Sequence, residues 1–244
     1  DKQCECGSGL STSDNNRFLR YIWEVSNNKI AKQGQDSRKW FLFQKGGEFR
    51  KWFGNLEYVV NWENDGEDIK YWVTHNPNDP KTTSWSRRIF NTHLYLREGL
   101  TWSVICSNNI SFRLSQKDSM ISNAAGGIFG FENNQDSLYM LVAGLNTKIW
   151  NYIFKILNPT INYSSGIIQK APLPQNNEYV IEYAKQNINI SKLDWDAHET
   201  SWDFKRNPLL ERMTDCGQNV ADLDMLDEED RAEIMARIHV PTNA

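Results

Sequence analysis

Residues 39–66 read KWFLFQKGGEFRKWFGNLEYVVNWENDG, and no other stretch limits the fold as much. Lys39, Lys45, Arg50 and Lys51 interleave with Trp40, Phe41, Phe49, Trp52 and Phe53 around Gly46-Gly47. The glycine pair permits positive φ and close approach of another backbone. Beyond it, LEYVVNW at 56–62 has the composition of a strand, and Asn64-Asp65-Gly66 is a turn signal. DIKYWV after that turn pairs back as a hairpin or starts a short helix, and the pattern leaves both open.

The rest of the chain reads as alternating short elements. Ser13 or Asp14 caps a helix in which Phe18, Tyr21, Ile22 and Val25 recur at helical spacing. Residues 75–88, HNPNDPKTTSWSRR, form a loop. LTWSVICS at 100–107 and GGIFGF at 126–131 read as strands. One helix is predicted over 136–157, with Leu138, Leu141, Leu145, Ile149, Tyr152, Ile153 and Ile156 as a core-facing stripe. Asp136 or Ser137 caps it, and Asn158-Pro159 ends it. TINYSSGIIQKAPLP at 160–174 reads as strand, turn, strand. A helix around Val180, Ala184 and Ile188 follows, and DEEDRAEIMARI at 227–238 reads as another. The expected fold is α+β, a twisted, mostly antiparallel sheet with flanking helices and a helical acidic tail. The expected boundary divides 1–175 from 176–244.

Composition excludes several classes. Of the 244 residues, 39% are hydrophobic, enough for a core and against wholesale disorder. No apolar run approaches the ~20 residues of a membrane span, so no membrane partner is expected. Cys4, Cys6, Cys106 and Cys216 lack zinc-site or redox spacing, which points to free thiols and a cytoplasmic protein. The chain starts at Asp1 without Met, which suggests a piece of something longer.

Charge is unevenly spread. Residues 1–193 hold 22 Lys+Arg against 18 Asp+Glu, whereas 194–244 hold 5 against 13. The body is mildly basic, and its cations cluster. Lys45 stands beside the two glycines, whose successive amides suit an anion. Lys81, Arg87, Arg88 and Arg97 form a second group on loops, where recognition usually sits. Cations next to flat rings fit a polyanion with exposed base edges. The same pattern also fits a strand with rings on the core and cations in water. No phosphate-binding glycine loop is present: AAGGIFGF lacks a preceding strand and a following helix. His75, His93, His198 and His239 are scattered, and Asp65 with Glu67 reads as a solvated turn.

Several blocks occur in a familiar order: GLSTSDNNRFLRYIWEV, the 39–66 stretch, SRRIFNTHLYLREGLTWSVI, LNTKIWNYIFKILNPTINYSSGIIQKAPLP and DWDAHETSWDF. Together, over roughly residues 7–210, they resemble the target-recognition region of adenine-specific DNA methyltransferases. The closest likeness is to the large methyltransferase of BREX phage-exclusion systems, with related regions in fused restriction–modification enzymes. The resemblance implies a region that reads double-stranded DNA while an upstream catalytic domain, using S-adenosylmethionine, methylates a flipped adenine. It implies no cofactor and no catalytic residue in this stretch. In keeping with that, none of the Asn-Pro pairs at Asn76, Asn158 and Asn207 continues to Pro-aromatic. Where relatives carry Thr-Gly-Asp-Asn, this chain has Thr12-Ser13-Asp14-Asn15, which implies an altered tight turn.

On this basis Lys45, Gly46, Gly47, Arg50, Lys51, Lys81, Arg87 and Arg88 are the expected phosphate or guanine contacts. Asn61 and Asn64 are the expected adenine contacts. Reversing Arg50 and Lys51 to Glu is expected to abolish binding and leave the fold intact. The alternatives are a protein-docking module that meets a catalytic or defence subunit without touching DNA and, with less support, a glycan-binding module built on the many Trp.

Overall fold

The computed structural model describes residues 4–31, 38–131, 134–172, 175 and 177–210. The chain divides into two units, 1–203 and 204–244. Only 204–210 of the second are described, so the expected helix at 227–238 and Cys216 lie outside the described residues.

The described strands are β1 (Glu5–Ser8), β2 (Leu19–Tyr21), β3 (Trp40–Gln44), β4 (Tyr58–Asn61), β5 (Gly99–Ser103), β6 (Phe112–Ser115), β7 (Ser119–Ile121) and β8 (Ala125–Phe129). The helices are α1 (Asn15–Phe18), α2 (Glu63–His75), α3 (Gln135–Leu145), α4 (Lys148–Leu157), α5 (Ser165–Ile168) and α6 (Glu178–Asp196). The α+β expectation holds, but the strands make two sheets instead of one. The first runs β1-β8-β5-β6, antiparallel throughout. The second runs β2-β4-β3-β7, antiparallel except where β3 meets β7.

The second sheet is buried on both faces, so β3 reads as the unbroken run WFLFQ instead of alternating with polar residues. Phe41 and Phe43 point into a core with Val60, Trp62, Ile69 and Val73, under α2. Leu42 and Val59 point the other way, onto Ile22, Ile30 and Leu56. The first sheet packs Leu100, Trp102, Phe112 and Ile128 against Leu138, Leu141, Leu145, Phe154, Ala184 and Ile188 of the helices. The expected 175/176 boundary precedes α6, which packs on α3 inside the first unit. A Cβ on Gly126 would sit 2.0 Å from the Trp102 ring, so only glycine lets β8 lie beneath that indole.

Local chemistry settled the sequence pattern in one place and overrode it in three. The turn at Asn64-Asp65-Gly66 exists, with φ of 51°, 58° and 73°, but it opens α2 instead of a hairpin. Ile69 and Val73, four apart, share one face of that helix and both reach the core. The predicted helix from Asp14 stops at Phe18: Asp14 caps it, and Leu19–Tyr21 join β4 as a strand. The 160–174 stretch holds an isolated bridge, Ile105 to Asn162, and then α5. The helix over 136–157 is two helices, and its cap is Asn134, whose side chain accepts from the Ser137 amide.

The break comes at Asn146-Thr147. Asn146 Oδ1 accepts from the Phe112 amide at 3.0 Å, and its Nδ2 donates to the Phe112 carbonyl at 2.8 Å. Thr147 Oγ1 accepts from the Trp150 amide and caps α4. The stripe therefore divides. Leu138, Leu141 and Leu145 are buried, whereas Ile149, Tyr152 and Ile156 are 70%, 68% and 65% exposed. Asn146→Ala is expected to cost about 1–3 kcal/mol, since the buried Phe112 amide loses its partner while the Phe112 carbonyl keeps the Trp52 amide. A lower urea midpoint with unchanged slope is the measurement that checks it.

Candidate nucleic-acid interface

β3 and β7 run parallel and end together, so residues 45–47 and 122–124 emerge side by side. Gly9 and Leu10 lie along β7: their amides donate to the carbonyls of Ser122 and Ile121, and the Asn123 amide donates to Leu10. The loop that follows, Ser11–Asn15, is thereby held against the same edge. Ser13 keeps the left-handed backbone that the turn needs (φ 55°) although it is not glycine. Thr12 Oγ1 donates to Asn15 Oδ1 at 2.7 Å, and Asp14 accepts from the Arg17 amide.

Lys45 sits where three clefts adjoin. One is walled by Thr12–Asn15 with Ser122 and Asn123, one by Asn15, Asn16, Arg20, Tyr21 and Tyr58, and one by Gly46–Arg50 with Asn55 and Trp195. Gly46 and Gly47 have φ of 86° and 119°. A Cβ on Gly46 would lie 2.8 Å from the Ala124 carbonyl, so the loop demands glycine on both space and conformation.

Beneath the loop lies a residue the sequence reading missed. Arg113 is fully buried, and its Nη2 donates to Ser103 Oγ, which donates to the Gly47 carbonyl. Its Nε and Nη1 have no hydrogen-bond partner among the described residues. Burial lowers its pKa to about 10, which still leaves the guanidinium charged at neutral pH. In the sequence it is only a cation between Phe112 and Leu114; its burial comes from the packing of β6.

The expected contacts are not all brought together. Arg50 ion-pairs with Asp194 at 3.0 Å and lies over the Trp195 ring, tying the loop to α6. Lys51 Nζ donates to the Asn146 carbonyl at 2.8 Å, where a cation suits a helix C-terminus. Reversing both charges therefore perturbs the fold as well as the surface. Asn61 is buried, with Nδ2 donating to Asp68 and Oδ1 accepting from the Glu63 amide, so its side chain serves the turn into α2. Asn64 is exposed on that turn.

Lys81, Arg87 and Arg88 are exposed on the loop between α2 and β5. Arg88 donates to Asp79 at 2.7 Å, and this bond holds the Asp79 carboxyl below its usual range. The Arg88 carbonyl accepts from the Ser11 amide at 2.7 Å. The Ser11–Asn15 loop thus touches the second basic group at one end and walls the Lys45 cleft at the other. Asn15, Asn16, Ser122 and Asn123 extend this polar edge, and sequence spacing gave no hint of them.

The glycine-rich segment 125–129 is a fully buried strand with an indole packed on it, so these residues do not fit a cofactor cradle. Among the described residues no cluster of three His, Cys, Asp or Glu is placed to hold a metal ion. No described helix is long and apolar enough to cross a membrane. Cys4, Cys6 and Cys106 are free thiols.

No family model matches the chain. Two curated relatives do. An adenine-specific methyltransferase BrxX of Escherichia coli O9:H4 (strain HS) is 36% identical over 204 residues, covering 83% of this chain and 16% of the relative. An adenine-specific methyltransferase PglX of Lacticaseibacillus casei (strain Zhang) is 33% identical over 217 residues, covering 86% of this chain and 18% of the relative. The chain thus spans under a fifth of the length of the relatives it matches.

Proposed function

We propose that this chain, a homologue of one segment of the BREX-type adenine-specific methyltransferases, recognises and grips duplex DNA for such an enzyme in phage defence. The observation that carries this is the polar edge on which Lys45, Gly46 and Gly47, the Ser11–Asn15 loop and the loop of Arg87 and Arg88 converge. The cations Lys45, Arg87 and Arg88 suit phosphates, and the exposed Asn15, Asn16 and Asn123 have the donor–acceptor pair that reads an adenine edge. Methyl transfer from S-adenosylmethionine belongs, on this reading, to a catalytic domain upstream, in the cytoplasm. On this reading residues 1–175 carry recognition.

An anisotropy titration of the chain on mixed-sequence duplex at two salt concentrations tests this. Phosphate contacts release counterions, so affinity falls steeply with salt, with a log–log slope of about −0.9 per contact. Absence of binding in low salt overturns a direct DNA role. One observation favours the docking alternative. The exposed apolar face of α4, Ile149, Tyr152 and Ile156, is suited to cover by the rest of a methyltransferase chain, and over four-fifths of the relatives' length lies outside the matched segment.

A further inference from the structure

Three rings and one ammonium group form a column beside the Lys45 clefts. Tyr21 stacks on Trp23 with centroids 4.6 Å apart and planes 10° from parallel. Tyr21 also stacks on Tyr58, at 4.8 Å and 29°. Lys45 Nζ lies 4.7 Å from the Tyr58 centroid and closes that end with a cation. Trp23, at the other end, is 51% exposed, and Tyr21 is 39% exposed.

Core packing does not account for the column. An indole half in water forgoes much of the free energy that burial gives it, on the order of 25 cal/mol per Å² of apolar surface. Yet its position is well fixed. Tyr21 and Tyr58 are cross-strand partners of β2 and β4. Their hydroxyls meet at 3.4 Å. The Glu24 carboxylate accepts from the Tyr21 amide at 2.7 Å and holds the short turn, Ile22–Glu24, that carries Trp23. The cleft next to the column offers Asn15, Asn16 and Lys45 as polar partners. Arg20 is already spent there, donating to the carbonyls of Asn16 and Leu19.

From this geometry we infer that the Trp23–Tyr21–Tyr58 column is a stacking platform for an unpaired nucleobase of the bound nucleic acid. The inference rests on the DNA reading above and deepens it, from grip on a paired duplex to capture of a base outside the stack. Every base has a π-face that an open indole accepts, whatever its sequence. Lys45, at the opposite end of the column from the open indole, falls to a phosphate further along the strand.

The test compares the wild-type chain with Trp23→Ala and Trp23→Phe by anisotropy, on a fully paired duplex and on the same duplex with one bulged base. Wild type is expected to prefer the bulged duplex. Trp23→Ala should lose about 5- to 150-fold on the bulged form, the range of one base–aromatic stack, and little on the paired form. Trp23→Phe keeps most of the affinity. Trp23→Gln, which removes the ring and leaves a polar surface, replaces the alanine variant if circular dichroism shows that the latter is unfolded. An unchanged bulge preference without the ring, or an equal loss on both duplexes, overturns the inference and leaves the duplex reading standing. A wild-type chain that binds neither form removes the duplex reading, and the inference with it. Binding of a neutral oligosaccharide that disappears in Trp23→Ala also overturns it, in favour of a sugar site.

Discussion

A Lys45→Glu, Arg87→Glu double variant should bind duplex DNA at least about a hundredfold more weakly than wild type in low salt, with its melting temperature nearly unchanged. Each charge-assisted hydrogen bond is worth about 1.5–3 kcal/mol, and two such losses reach that factor. The salt slope should flatten by about 1.8, two contacts at about 0.9 each. Stability is spared because Arg87 is exposed and Lys45 is held by a cation–π contact worth about 0.5–1 kcal/mol. Arg50 and Lys51 are the wrong pair for this experiment, since α6 and the C-terminus of α3 depend on them. Retained affinity in the folded double variant would take the Lys45 edge out of the interface.

Trp102→Ala should destabilise the chain by about 3–5 kcal/mol, the cost of truncating a large core aromatic. The indole is fully buried, lies over Gly126 and packs beside Phe112 with centroids 5.9 Å apart. Its Nε1 also donates to the Tyr163 carbonyl at 2.8 Å, so the truncation strands a buried acceptor besides leaving a cavity. Chemical denaturation reads the effect as a lower midpoint at constant slope. A shift under about 1 kcal/mol would mean that the helices close onto the first sheet without the indole, contrary to the range for such sites.

The fold class was legible because strand composition and turn residues are local signals. Leu56–Trp62, Asn64-Asp65-Gly66 and the glycines at 126 and 127 all mark real features. What the turn led into was not legible. Ile69 and Val73 fit either a hairpin or a helix until a core exists to receive them. The same limit applies to Asn146, whose mid-stripe position hides a clamp on Phe112 that lies far off in sequence. At the site, Lys45 and the glycines were readable because residue type alone carries their chemistry. The partners of Arg50, Lys51 and Asn61 come from α6, α3 and α2, and no spacing rule announces them. Arg113 and the stacked rings were missed for a related reason, since their surroundings assemble only when the sheets do.

The order in which the chain visits its two sheets has a kinetic consequence. β1 belongs to one sheet, β2 to β4 to the other, β5 and β6 to the first again, β7 to the second and β8 to the first. Neither sheet is contiguous in sequence, so no proteolytic or genetic cut releases one of them whole. Most ladders close across long separations, and Glu5 finds Phe129 only after the intervening chain has been laid down. Such a topology has high contact order and folds slowly, and it gives no early, self-sufficient half. The edge that carries Lys45, Ser122 and Leu10 is among the last things to exist on the folding route, because it needs strands drawn from three distant parts of the chain at once.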